Sequence, residues 1–185
     1  AYEAAFAERV DAKHAIACSS GTAGLHMAAI ALDLDFGDVV VVPSVTFLAT
    51  ANAARYVKAD VLFADVDPET GVMRLEDVQR AIAGMSKGTV KAIFPVHLTG
   101  HTVNVDDLAA EFPELVLVED ACHAIGAEYA IGGSMKPVGS CPHGGITMFS
   151  THPVKTIATG EGGMLTTNSD RFAETLRRSR NHGLV

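Results

Sequence analysis

Short apolar runs alternate with helix-spaced stretches along most of this chain. His14–Cys18 is strand-like, and Gly21–Leu34 follows with Leu25, Ala28, Ala29 and Leu32 at the spacing of one helix face. Asp38–Val42 is rich in β-branched residues and is closed by Pro43, and Phe47–Val57 returns to helical spacing. Val61–Val66 predicts a strand, ended by the turn signal Asp67-Pro68-Glu69-Thr70-Gly71. A helix over Leu75–Ala83 and a strand over Val90–Val96 come next. Val105–Phe112 reads as a helix capped by Asn104, and Leu115–Glu119 as another strand. Ile146–Phe149 and Gly163–Thr167 predict short strands. Asp170–Ser179 predicts a last helix whose basic C-terminal end suits the helix dipole. The Gly-rich stretch from Ala130 to Gly145 reads as a loop.

Strands that are apolar nearly throughout belong to sheets covered on both faces, and strands separated by helices pair in parallel. The predicted fold is therefore a three-layer α/β/α domain with a mostly parallel sheet. Ligands of such sheets sit at the carboxyl ends of the strands. That singles out Ser19–Thr22, Ser44–Phe47, His97, Asp120–His123 and Ser150–Lys155, each placed just after a strand-like run.

Composition narrows the classes. The chain of 185 residues matches about one domain. It has 14 Lys+Arg against 22 Asp+Glu, a formal charge of −8, which argues against the basic face of a nucleic-acid binder. No apolar run is long enough to span a membrane, and the acidic start lacks the basic stretch of a secretory signal. The missing initiator Met suggests a chain that begins inside a longer protein. Cys18, Cys122 and Cys141 are odd in number and lack CxxC spacing, so they read as reduced thiols of a cytoplasmic protein. A metal set could be assembled from Cys122, His123, Cys141, His143 and His152, but no pair has structural-zinc spacing, and no metal is expected.

Three constellations could carry chemistry. Ser19-Ser20-Gly21-Thr22-Ala23-Gly24 joins a strand to a helix, and small residues with free N–H groups at a helix start can cradle a phosphate. Neither the Gly-Lys-Ser/Thr ending of a nucleotide loop nor GxGxxG is present. Glu119-Asp120 places acid at the mouth of an apolar strand, which is costly unless a cation meets it. Either a protonated heterocycle nitrogen or an ordinary Lys or Arg could be that partner. Lys155 stands between a strand and Gly160-Glu161-Gly162-Gly163 in mainly uncharged surroundings, where burial would favour a nucleophilic amine.

Together and in this order, the motifs resemble the DegT/DnrJ/EryC1/StrS family of sugar aminotransferases. The resemblance runs through Ser20-Gly21-Thr22-Ala23, Pro43-Ser44-Val45-Thr46-Phe47-Leu48-Ala49-Thr50 and Pro95-Val96-His97-Leu98. It continues through Glu119-Asp120-Ala121-Cys122-His123 and Phe149-Ser150 to Lys155 and Gly160-Glu161-Gly162-Gly163. It implies the large domain of the aspartate-aminotransferase type I fold and pyridoxal 5'-phosphate as cofactor. Lys155 matches the family's Schiff-base lysine, and Asp120 the carboxylate that meets the pyridine nitrogen. Phe47 matches the aromatic stacked on the ring. Thr22 and Ala23, with Gly21, match the backbone cup of the phosphate, and Ser150 a hydroxyl donor to it. His123 stands where many members carry Gln near the cofactor ring.

The implied reaction moves an amino group, with glutamate as donor, to a keto group of a nucleotide-linked deoxy-sugar. Relatives with His at the lysine position deoxygenate sugars instead, so Lys155 favours transamination. The run His152-Pro153-Val154-Lys155 most resembles the aminotransferases of pseudaminic-acid biosynthesis, which act at C4 of a UDP-linked sugar. Family chains are about twice as long. Residues 1–185 would then be a partial cofactor-binding large domain, lacking an N-terminal segment and the C-terminal small domain, in a protein that is a homodimer when whole. Rival readings are another enzyme of the same fold, such as a cysteine desulfurase or an aldolase-type lyase, and a non-catalytic regulatory or scaffold relative.

Overall fold

In the computed structural model, which describes residues 1–184, the chain order is α1 (Tyr2–Arg9), β1 (His14–Cys18), α2 (Gly21–Ala31), β2 (Asp38–Pro43), α3 (Leu48–Tyr56) and β3 (Asp60–Ala64). There follow α4 (Leu75–Ala83), β4 (Thr89–Ile93), α5 (Val105–Glu111), β5 (Val116–Asp120), β6 (Glu128–Ile131), β7 (Ser134–Pro137), β8 (Ile146–Ser150), β9 (Gly163–Thr167) and α6 (Asp170–Arg180). Val185, the last residue of the expected 1–185 domain, lies outside the described residues.

Seven strands form one sheet in the order β1-β9-β8-β5-β4-β2-β3. β9 runs antiparallel to both of its neighbours, and the other neighbouring pairs are parallel. The expected mostly parallel sheet is thus present. Side chains alternate across each strand, and this alternation separates the two cores. Val40, Val42, Phe94, Val118, Met148 and Leu165 pack on one face with Leu25, Ala53 and Leu176 from α2, α3 and α6. Val41, Ile93, Leu117, Phe149 and Met164 pack on the other with Phe6, Val78 and Leu108 from α1, α4 and α5. Three layers result, as the apolar strands predict.

Two elements depart from the sequence reading. Residues 130–145 are not all loop, because β6 and β7 pair as a separate antiparallel hairpin. Gly132 and Gly133 form its turn with φ of 55° and 81°, the left-handed backbone that a two-residue hairpin needs. The helix α1 was not anticipated, and it buries Phe6 and Ala7 against the sheet. The Asn104 cap is present, with its side-chain oxygen accepting from the Asp107 amide at 3.2 Å. Among the described residues no helix is long and apolar enough to cross a membrane.

Because β1, β2, β4, β5 and β8 all point the same way, the segments that follow them meet at one edge of the sheet. There α2 starts after β1, Phe47 follows β2, His97 follows β4, Asp120 ends β5, and Ser150 with Lys155 closes β8.

Candidate active site

That edge holds a cavity of about 420 Å³. Gly21, Thr22, Phe47, Asp120, His123, Ser150 and Lys155 line it, so residues up to 134 positions apart in sequence share one space. Ala23 does not line it. Its amide is already taken, donating to the Ser20 hydroxyl that caps α2 at 3.1 Å. Hydrogen bonding within the chain therefore leaves the amides at the very start of α2, those of Gly21 and Thr22, as the donors on the cavity wall. Ser150 stands directly against that helix start. A Cβ built on Gly21 would come within 3.1 Å of the Ser150 Cβ and 3.3 Å of the Cys122 sulfur, so backbone alone fits there. One end of the cavity is thus a cradle of backbone amides and a hydroxyl.

The floor is Asp120, which is 5% exposed. Thr50, fully buried on the inner side of α3, donates its hydroxyl to Asp120 Oδ2 at 2.7 Å. The Cys122 amide donates to Oδ1 at 3.2 Å. Among the described residues no Lys or Arg pairs with Asp120, so the ordinary ion pair weighed from sequence does not form. Its neighbour Glu119 faces the opposite layer. There the fully buried His97 meets Glu119 Oε2 at 2.9 Å through Nε2 while Nδ1 accepts from the Val103 amide at 3.1 Å. This pattern places the ring hydrogen on Nε2, donated to Glu119. Glu119 and Asp120 therefore solve the same burial problem with different partners.

Lys155 lies on the opposite wall, in the irregular segment between β8 and β9. It is only partly buried, less enclosed than the sequence surroundings suggested. Its Nζ is 2.8 Å from His123 Nε2. Burial, with the Lys155 charge as a second cause, lowers the His123 pKa below its ordinary value, and Asp120 acts weakly the other way. A neutral His123 accepts from the lysine. The loop's base is closed by the Thr151 amide donating to Gly162 O at 2.9 Å and by the Thr159 amide donating to Thr151 O at 3.0 Å. A Cβ on Gly162 would fall 2.6 Å from the Thr151 hydroxyl, which explains one of the glycines around Glu161. Phe47, the residue before α3, is 67% exposed at the cavity mouth.

The remaining expectations resolve simply. Burial and the Asp120 charge push the Cys122 thiol up, so it stays protonated beside the cavity. His143 pairs with Asp106, and Cys141 is buried against Thr147 and Thr166, so the five candidate metal ligands do not form one cluster among the described residues. Lys136 pairs with Asp11, and Lys87 is exposed. Sequence reasoning named Thr50 within a motif but gave it no role. The only hint was a hydroxyl one helical turn after Phe47.

Comparison with known proteins identifies relatives in sequence and in fold. The model of the DegT/DnrJ/EryC1/StrS aminotransferase family matches residues 1–185. A GDP-perosamine synthase from Caulobacter vibrioides is 39% identical over 185 residues, covering 99% of this chain and 47% of the synthase. The X-ray structure of an aminotransferase from Psychrobacter cryohalolentis superposes with a TM-score of 0.88 at 34% identity, over 98% of this chain and 44% of that one. NtdA from Bacillus subtilis, solved with bound cofactor PMP, gives a TM-score of 0.82 at 26% identity, over 96% of this chain and 38% of that one. The chain spans less than half the length of each.

Proposed function

The chain belongs to the DegT/DnrJ/EryC1/StrS aminotransferase family, and on that premise we propose that it forms the cofactor half-site of a pyridoxal 5'-phosphate-dependent nucleotide-sugar aminotransferase. One observation carries the reading. A buried carboxylate, Asp120, opens onto the cavity with no Lys or Arg paired to it among the described residues, while the Lys155 amine stands on the facing wall. A protonated pyridine nitrogen is the cation such a carboxylate lacks.

The residues fit this cofactor. The α2 start, through the Gly21 and Thr22 amides, and the Ser150 hydroxyl bind its phosphate, with Ala23 contributing to the helix cap. Phe47 covers one face of its ring, and Asp120 keeps the ring nitrogen protonated. When bound, the cofactor supplies an electron sink that side chains lack. Lys155 would hold the cofactor through its amine, and the same amine, when free, would serve as the general base that moves the substrate's proton. His123 accepts a hydrogen bond from the Lys155 amine and so sets its direction.

The substrates are read by analogy with the family. Glutamate donates the amino group, and the acceptor is the keto group of a nucleotide-linked deoxy-sugar, read as C4 from the His152–Lys155 run. The name of the Caulobacter relative supports a nucleotide-linked sugar. The whole protein acts as a homodimer in the cytoplasm. The exposed apolar rim of Phe47, Leu48 and Val154 supports a second copy covering the cavity mouth, and the three free cysteines support a reducing compartment.

The test is spectroscopic. Adding pyridoxal phosphate to the whole protein should give the visible absorbance band of a lysine-bound cofactor, and borohydride should fix it on the peptide carrying Lys155. Lys155→Ala should abolish the band and the transfer of nitrogen from glutamate to UDP- or GDP-linked 4-keto-6-deoxy sugars, followed by mass spectrometry. A reduced adduct on Lys87 or Lys136, or no band at all, would refute the proposal.

A further inference from the structure

We propose that Thr50 is the positioning residue that aims the Asp120 carboxylate into the cavity, and that α3 thereby sets both the face and the nitrogen contact of the cofactor ring. The inference rests on the reading that Asp120 meets that nitrogen. Its own foundation is the pattern of hydrogen bonds around Asp120.

A carboxylate at a strand end can turn about two side-chain torsions. To serve a planar ring it must present one lone pair in one direction, which requires its other acceptor positions to be held. Asp120 Oδ1 is held from its own segment by the Cys122 amide at 3.2 Å, a long bond of ordinary strength. Oδ2 is held at 2.7 Å by the Thr50 hydroxyl, the short distance typical of an O–H donated to a charged acceptor. The shorter contact comes from a different element and from a side chain that is fully buried, so it anchors Asp120 to α3.

Thr50 is itself fixed. Its oxygen lies 2.8 Å from the Thr46 hydroxyl, and because its single hydrogen goes to Asp120, Thr46 is the donor in that pair, giving its own hydrogen to this contact over the longer one of 3.3 Å to Phe47 O. The chain of donation therefore runs from Thr46 to Thr50 to Asp120. Phe47 precedes the first residue of α3, and Thr50 lies within the first turn, with its amide bonded to Phe47 O at 3.1 Å. One rigid turn carries the ring-covering aromatic and the hydroxyl that aims the carboxylate. The titratable groups that line the cavity with Asp120 are Cys122 and His123 on its own segment and His152, Lys155 and Glu161 on the segment after β8, while the neighbouring His97 turns its ring to Glu119. None of them donates to Oδ2.

The experiment uses Thr50→Val, which keeps the β-branched shape and removes the O–H, and Thr50→Ser, which keeps the O–H, in the whole protein. In a crystal structure of unliganded Thr50→Val, the Asp120 carboxylate should leave the direction it holds in the parent. With pyridoxal phosphate bound, the pH midpoint of the cofactor's visible band should shift. The turnover number should fall about tenfold, the scale of one hydrogen bond to a charged group, with little change in KM for the sugar. Thr50→Ser should restore all three properties, and Thr46→Val should give a smaller effect of the same kind. The proposal is overturned if Thr50→Val keeps the parent's Asp120 direction and spectral midpoint. It is equally overturned if Thr50→Ser is as impaired as Thr50→Val, because packing of the methyl group would then be the cause. A parent protein that forms no visible band refutes the functional reading before any variant is made, and that result is distinct from a parent-like valine variant.

Discussion

The floor of the cavity and its lysine wall are built in opposite ways. On the floor, Asp120 and Thr50 are buried, β5 lies between β4 and β8, and both carboxylate oxygens have donors. On the wall, residues 152–161 are mostly exposed, Val154 to 79%, and the segment is tied down mainly at its ends by Thr151, Thr159 and Gly162. The difference matches the two tasks. A group that must keep one direction is mounted on the sheet, whereas an amine that must attach and let go is mounted on a loop with fixed ends. The Lys155–His123 contact is where the two regions touch.

The sharpest way to break this comparison is to change the charge on the floor and leave its shape. Asp120→Asn preserves volume, and its amide oxygen can still accept from Thr50, but an amide does not hold a ring nitrogen protonated as a carboxylate does. Transamination should slow by at least about a hundredfold, the lower range of a general acid–base contribution, while much of the cofactor binding survives. Single-turnover rates alongside cofactor titration would measure both. Turnover at the parent rate would show that the floor's charge is irrelevant to the chemistry.

A second contrast is in stability. His97→Ala removes the partner of the buried Glu119 and leaves its carboxylate without that donor, which should cost about 3 kcal/mol. Val154→Ala, on the exposed loop, should change stability by less than about 0.5 kcal/mol. Urea denaturation of both variants tests whether the floor is as rigidly committed as its hydrogen bonds suggest. Equal losses would remove the distinction between the two regions.

Much of this architecture was readable before any coordinates. β-branched and apolar runs marked the strands of the large sheet because a strand buried on both faces has no polar face to confuse its boundaries. The residues just after those strands then fell on one edge as a consequence of parallel pairing, which is why Asp120, Ser150 and Lys155 could be brought together from sequence. The hairpin was hidden because its strands are short and largely exposed, so Gly132-Gly133 looked like loop composition instead of a turn. The sequence did not show that the cap hydroxyl of Ser20 takes the Ala23 amide, a choice made by local geometry. Thr50 was illegible for a related reason. A threonine within a helix carries no signal of its direction until the rotation of α3 against β5 is known.

The smallest expected effect lies at the junction of the two regions. Burial is the larger cause of the lowered His123 pKa and the Lys155 charge the smaller one. In the unliganded protein, the His123 ring should therefore titrate below 6.5, its ordinary value, in a pH series of long-range proton–nitrogen NMR spectra. Replacing the lysine in Lys155→Met should raise the midpoint but leave it under 6.5, because the burial remains. The sign for stability follows. As pH falls through 6.5 the unfolded chain binds a proton that the folded one resists, so this residue's contribution is present above 6.5 and declines below it toward the folded midpoint. Since the ring is only partly enclosed, that decline should be slight. A parent midpoint at or above 6.5 would mean that solvent, and not the protein, surrounds the ring. A midpoint that fully returns to 6.5 in Lys155→Met would reverse the order of the two causes and make the loop, through its charge, the stronger influence on the floor.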